Sequence, residues 1–446
     1  MSAHMNSSVE KYDVSPVFSG EGSAPDLRIS VPGSKSISNR ALLLAALSDG
    51  EVKLDDILLS DDSRHFIQCL RDLGFFVFLQ EEIRRIRIRG CGSRLPKQEA
   101  EIYVGSAGTA ARFLTALLGL AGGSYHLDAS AQMRKRPMKP LLAALGSLGC
   151  RVSYDEKEGY FPFTLYSDGL TGSEVTVNID DSSQFLSALM MAAPLLQRDF
   201  TIHVTGRHGF SYIEMTAQMM RRFGAEVIRP DESTFRIPAL SAYKSGSYLI
   251  EPDVSAACYF YAMAAISGGT ALVPGVHADS IQGDIAFLDL LCRMGCHYED
   301  SRDGIILTGP AGGHLHGIDA DMHAFSDQAL TLAAIAPFAD SPVTIRGISH
   351  IRLQECDRIE AILTNLRRMG IRTECSADDV LTIFPGPVQP ARIETFGDHR
   401  AAMAFAVTGL RSPGITILDP LCCRKTFENY FDLLDHIQKY AKGVNH

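Results

Sequence analysis

The side chains best placed for chemistry are Lys35 and Arg40, in the stretch Pro32-Gly33-Ser34-Lys35-Ser36-Ile37-Ser38-Asn39-Arg40. A Pro-Gly turn gives way to small hydroxyl residues and then to the apolar run Ala41 to Leu47, so the serines mark a helix start. Free N–H groups and the dipole at such a start favour an anion. Lys35 adds a point charge or proton carrier. Arg40 adds a planar fork able to grip a carboxylate with two parallel hydrogen bonds. Taken alone, the stretch reads equally well as a capped surface helix with solvated basic residues.

The elements that would position such groups recur. Polar openings to apolar helices stand at Gly108-Thr109-Ala110-Ala111-Arg112, Ser182-Ser183-Gln184, Val254-Ser255, Ser326-Asp327-Gln328 and Gly397-Asp398-His399-Arg400. Arg40 to Arg112 and Asp327 to His399 are both intervals of 72 residues. A second periodic element is an apolar helix end, a glycine and a strand-like run. Its glycines are Gly74, Gly149, Gly224, Gly295 and Gly370, at intervals of 75, 75, 71 and 75. Glycine just past a helix accepts positive φ at little cost. A sixth copy falls at Phe427 to Tyr440. The chain is therefore six units of roughly 70 to 75 residues, each with two helices and several strands.

The fold class expected is mixed α/β, with three units closing around a pseudo-threefold core in each of two domains. The domains are residues 33–250, and residues 1–32 with 251–446. A strand near Leu27 to Val31 is expected to complete the second domain, whose final unit lacks its last strand. Crossings near Pro32 and Glu251 would form a hinge, suited to a cleft that shuts on substrate.

A chain of 446 residues is long for one core, and 46% apolar with 21% charged residues is ordinarily globular. A formal charge of −10 argues against a nucleic-acid surface, so any anion site is a local basic pocket in an acidic protein. No apolar run reaches membrane-spanning length, and the N-terminus lacks a secretory layout. Ser2-Ala3-His4-Met5 reads as a cloning remnant. Ten cysteines without a Cys-x-x-Cys pair suit a reduced, cytoplasmic protein. His314-Leu315-His316 with Asp319, Asp321 and His323 matches no closed metal site. Arg85-Ile86-Arg87-Ile88-Arg89 reads as a strand with one wet, basic face.

From about Leu27 to Tyr440 the chain resembles the 5-enolpyruvylshikimate-3-phosphate synthases, a family of enolpyruvyl transferases. The resemblance rests on Pro32 to Arg40, Gly105 to Arg112, Lys135-Arg136-Pro137-Met138, Ser182 to Leu186 and Gln282-Gly283-Asp284. It continues through Glu355-Cys356-Asp357-Arg358, Asp398-His399-Arg400 and Lys425-Thr426-Phe427. It implies two domains of three βαβαββ units each. It also implies a transferase of the shikimate pathway that passes the enolpyruvyl group of phosphoenolpyruvate to the 5-hydroxyl of shikimate 3-phosphate and releases phosphate. The product feeds chorismate and aromatic amino acid synthesis, and the family's inhibitor glyphosate would compete with phosphoenolpyruvate.

The same resemblance implies roles. Ser36 and Arg40 would hold the shikimate carboxylate, and Ser182, Ser183 and Gln184 its 3-phosphate, with Tyr212 beside the ring. Gly108, Arg136, Gln184, Arg358, Arg400 and Lys425 would bind phosphoenolpyruvate, with Lys35 between the substrates. Asp327 would take the hydroxyl proton. Glu355, assisted by Lys35, would serve C3 in an addition followed by an elimination. Asp327, His350 and Gln354 would lie at shikimate 3-phosphate, while Thr109, Arg112, Asp398 and His399 would orient their neighbours. Plainer roles are an N-cap for Asp327 and an ion pair with Arg358 for Glu355. No metal or organic cofactor is called for, since basic residues supply the charge. The expected assembly is a monomer whose partners are the two small substrates, with no nucleic acid and no membrane.

The chain departs from the family at four positions. Ser106 stands where Asn is common, Gly209 where Ser is common, His350 where Asn is usual and Gln354 where Lys is usual. A neutral Gln offers a donor without a charge, so weaker substrate affinity is expected. A related transferase using UDP-N-acetylglucosamine usually carries a Cys in the loop before its Arg-Pro, and Asp128 to Arg134 has none. A non-catalytic anion-binding paralogue is opposed by Lys35, Asp327 and Glu355 standing together.

Overall fold

The sequence leaves little alternative to helix in the runs Lys35–Ala46, Gly108–Leu120, Gln184–Ala192, Val254–Ser267 and His399–Arg411. They are dense in Ala, Leu and Met, free of Pro, and almost wholly buried. A helix apolar on every side has to be packed on every side, so these form the cores. The computed structural model describes residues 11–18, 25–168, 170–206 and 209–441. The Ser2–Met5 stretch lies outside them.

By its internal contacts the chain divides into two units, one over Gly33–Glu251 and one holding the remainder, up to Pro32 and from Pro252. Among the described residues the first contains three four-stranded sheets, each with one parallel pair followed by antiparallel pairs. In the first sheet Glu51–Asp55 runs beside Arg85–Arg89, and Ile86 and Ile88 are buried while the arginines face outward. The C-terminal strand of this unit, Gly246–Leu249, returns to pair in parallel with Glu51–Asp55. The helices Asp61–Asp72, Lys139–Ser147 and Phe210–Arg222 accompany the three apolar ones and end before Gly74, Gly149 and Gly224. All three glycines have positive φ, the conformation that the repeated glycine predicts.

The second unit repeats the scheme with two four-stranded sheets and one of three strands. Asp26–Arg28, which overlaps the stretch expected to complete the second domain, does join a sheet of this unit, pairing in parallel with Thr270–Pro274 of the fourth repeat rather than with the last one. The last sheet is completed by Lys11–Asp13, antiparallel to Ile415–Leu418, which itself runs parallel to Ala391–Ile393. Tyr12 packs at a tilt against Phe431 with ring centroids 4.6 Å apart and accepts from Gln438 Nε2 at 2.6 Å, which anchors this short strand.

Candidate active site

In the unit Gly33–Glu251 the first turns of three apolar helices are cross-linked. Asn39 Nδ2 donates to Thr109 Oγ1 at 2.9 Å, and Arg112 Nη1 donates to Gln184 Oε1 at 3.1 Å. Ser34 caps the first helix, its hydroxyl accepting from Ile37 N at 3.4 Å. Gly33 before it has no room for a side chain, since a Cβ would lie 2.0 Å from the carbonyl oxygen of Asp56. The N-terminal turns of three helices are thereby tied to one another in this unit.

The cations are arranged behind and around those openings. Lys35 Nζ lies 3.8 Å from Asp62, a buried carboxylate at the start of the next helix whose role the sequence reading missed. Arg136 and Arg112 crowd Gly108, where a Cβ would meet their Nη1 atoms at 2.7 and 2.8 Å. Ser182 Oγ accepts from Gln184 N at 3.3 Å, and Ser183 is buried beneath that turn. Gly209 has φ +68°, and a Cβ there would press on Ser183 Oγ at 2.5 Å, so the Ser expected from the family would be strained on this backbone.

Arg40 is only 1% exposed. Its Nε donates to Thr216 Oγ1 at 2.8 Å, Nη1 to the carbonyl of Ser36 at 3.0 Å and Nη2 to that of Tyr212 at 3.2 Å. Phe113 lies under its guanidinium at 5.4 Å. These acceptors are neutral, and burial lowers its pKa to about 10. The charge is set behind Ser36, with its fork already occupied, so it differs from the open bidentate grip expected of it.

The second unit gathers acids and bases. Asp327 lies in a single turn, Ser326–Gln328, leading into the helix Ala329–Ile335. Arg358, 1% exposed, donates from Nη1 to Asp327 at 2.8 Å, from Nη2 to Glu355 at 2.8 Å and from Nε to Asp398 at 2.7 Å. Burial opposes its charge, but the three carboxylates win and hold it well above the ordinary arginine range. Arg400 Nη2 donates to the other oxygen of Asp327 at 2.7 Å, and Lys425 Nζ lies 3.7 Å from Glu355. Asp398 caps the helix His399–Arg411 by accepting from Arg400 N at 2.8 Å, with buried His399 beside it.

Two of the departing residues find work here. Gln354 Oε1 accepts from Arg358 Nη1, a bond that a lysine at this position would lack. His350 Nε2 pairs with Ser326 Oγ at 2.7 Å, next to Asp327. The turn that carries Gln354 and Glu355 is pinned by Arg352, which bonds Asp357 and Asp379 at 2.7 Å each. His316 of the rejected metal cluster pairs with Asp340 at 2.8 Å. Among the described residues no group of three His, Cys, Asp or Glu side chains is placed to hold a metal.

The arrangement thus provides helix openings with basic side chains for anions, and carboxylates held by cations for proton transfer. The comparisons with known proteins agree with that chemistry. The family model for EPSP synthase (3-phosphoshikimate 1-carboxyvinyltransferase) matches residues 23–434. The chain is 47% identical over 407 residues to the 3-phosphoshikimate 1-carboxyvinyltransferase of Nostoc punctiforme, covering 91% of this chain and 95% of that protein. It is 41% identical over 428 residues to the chloroplastic enzyme of Arabidopsis thaliana, covering 92% and 82% of the two chains. In fold it is similar to an EPSP synthase structure from Acinetobacter baumannii, with a TM-score of 0.80 at 23% identity over 96% and 98% of the chains. It is also similar to the enolpyruvyl transferase NikO from Streptomyces tendae, with a TM-score of 0.72 at 18% identity over 94% and 96%. With a family model spanning most of its length and relatives above two-fifths identity, the chain belongs to the EPSP synthase family.

Proposed function

We propose that this protein joins phosphoenolpyruvate to the 5-hydroxyl of shikimate 3-phosphate and releases phosphate. The observation that carries the reading is the set of Asp327, Glu355 and Asp398 around Arg358, Arg400 and Lys425, because it offers a base, an acid and anion partners within one unit. Ser182, Ser183 and Gln184 take the 3-phosphate. Ser36 takes the shikimate carboxylate, with the charge of Arg40 behind it and Tyr212 beside the ring. Gly108, Arg136, Arg358, Arg400 and Lys425 take phosphoenolpyruvate, and Lys35 stands between the two.

Before substrate arrives the cations are spent on carboxylates. The anionic groups of incoming phosphoenolpyruvate draw Arg400 from Asp327 and Lys425 from Glu355. A carboxylate that loses its cation holds a proton more tightly and becomes a better base. Asp327 then accepts the hydroxyl proton as the shikimate 5-oxygen bonds to C2, while Glu355 delivers a proton to C3. In the second step C3 returns a proton and the C2–O bond to phosphate breaks, with Lys35 and the arginines stabilising the departing charge. The two units are proposed to close on the substrates about the crossings at Pro32–Gly33 and Glu251–Pro252.

The test is a coupled phosphate-release assay with purified protein. Release should require both phosphoenolpyruvate and shikimate 3-phosphate. Release with UDP-N-acetylglucosamine in place of shikimate 3-phosphate, or binding of both substrates with no release, would overturn the reading.

A further inference from the structure

The segment Gln282-Gly283-Asp284 has no role in the reaction as described, yet it is buried against residues that do. It grips the opening of the helix Val254–Ser267 at two points. Gln282 Oε1 accepts from Val254 N at 3.1 Å, and its Nε2 donates to the carbonyl of Pro252 at 2.8 Å. Two residues on, Asp284 accepts a hydrogen bond from the hydroxyl of Ser255. Ser255 Oγ in turn lies 3.5 Å from Arg400 Nη2, the nitrogen that also holds Asp327. Asp284 is 5% exposed, and its Oδ1 has no hydrogen-bond partner among the described residues.

We propose that Asp284 is a positioning residue for Arg400, acting through the hydroxyl of Ser255. A serine hydroxyl has one proton and two acceptor sites. With the proton committed to Asp284, the oxygen presents lone pairs to the guanidinium. Without Asp284 the hydroxyl is free to turn its proton toward Arg400 and repel it. At 3.5 Å the Ser255 contact is loose while Asp327 holds the same nitrogen. Once substrate displaces Asp327, Ser255 is the acceptor that keeps Arg400 aimed. Charged or titratable groups around Asp284 are Asp253 on the same helix opening, Asp327 and Arg400, with the Cys258 thiol bonded to its carbonyl at 3.7 Å. Burial, then the nearby Asp327, push the Asp284 carboxyl up to about 7, so at mildly acidic pH it is a neutral acid that still accepts from Ser255.

This inference rests on the reading of Arg400 as a phosphoenolpyruvate ligand, so the experiment includes R400K as a separate arm. Steady-state kinetics with both substrates at pH 6.5 would compare wild type, S255A, D284A, D284N and R400K, with thermal melts as the folding control. S255A and D284A are expected to raise KM for phosphoenolpyruvate about tenfold, the loss of one hydrogen bond to a charged group. KM for shikimate 3-phosphate should stay within about twofold. D284N keeps an acceptor for Ser255 and should restore KM to within about threefold of wild type. Unchanged phosphoenolpyruvate KM in S255A overturns the proposal, even if D284A fails to fold. So does a D284A defect that strikes both substrates equally and is not rescued in D284N. If R400K binds phosphoenolpyruvate as wild type does, the reading of Arg400 fails by itself. If R400K loses it while S255A and D284A keep it, only the role of Asp284 fails.

Discussion

At the scale of single residues the protein is governed by which charges have partners. Asp327 is held by two arginines in the unliganded protein, which makes its assignment as base testable. Asp327→Asn should keep binding of both substrates while kcat falls about 10²- to 10⁴-fold, the usual contribution of a positioned base. Lost binding with normal turnover of each bound complex would contradict the role. Asp284 gives a stability prediction. Its carboxyl is raised from 3.8 to about 7 in the folded chain, chiefly by burial. A raised acid holds its proton in the folded state while the unfolded chain has released it, so stability falls as pH rises through that window and stays low above it. Asp284→Asn should therefore raise Tm markedly at pH 8 and little at pH 4. Equal shifts at both values would show that Asp284 is not a neutral acid. The sequence exposed Lys35, Arg40, Asp327 and Glu355 because they sit in dense motifs at helix openings. It hid the Lys35–Asp62 pair and the Ser255–Asp284 bond, since Asp62 stands in no motif and the two segments that carry Ser255 and Asp284 meet only in the fold.

At the scale of elements, the helix openings carry the function and their glycines carry the geometry. Gly108→Ala would push a methyl group against Arg112 and Arg136. Both are flexible side chains, so the chain should fold, with KM for phosphoenolpyruvate raised several-fold and competitive inhibition by glyphosate weakened. Non-competitive inhibition would mean that the site is misplaced. Gly33→Ala meets backbone instead, 2.0 Å from the Asp56 carbonyl, and should cost about 3 kcal/mol or more in a denaturant titration. The repeat itself was legible because Gly74, Gly149, Gly224, Gly295 and Gly370 all take positive φ, a requirement that leaves a residue type behind. The expected weakening by Gln354 reads differently once its bond to Arg358 is seen, since the amide oxygen contributes to the cluster without adding charge. Its acceptor role depends on a neighbour on the next turn, which no single position in the sequence declares.

At the scale of the whole molecule, shikimate 3-phosphate is predicted to lower the radius of gyration in solution scattering, and an unchanged radius would count against closure of the two units. Removing residues 1–18 should leave Ile415–Leu418 without its antiparallel neighbour and lower Tm by several degrees, as a melt of the truncated chain would show. That neighbour was the least legible element of the fold. Three residues, Lys11–Asp13, carry no usable periodicity, and the more strongly apolar Leu27 to Val31 stretch attracted the assignment instead. The pairing of Lys11 with Leu418 has a consequence for biosynthesis. The strand leaves the ribosome early and waits roughly 400 residues for its partner, on the order of 20 to 80 s at ordinary elongation rates. The continuous stretch Gly33–Glu251 is complete well before then and can fold while translation continues. The other unit can close only after its final strand has emerged.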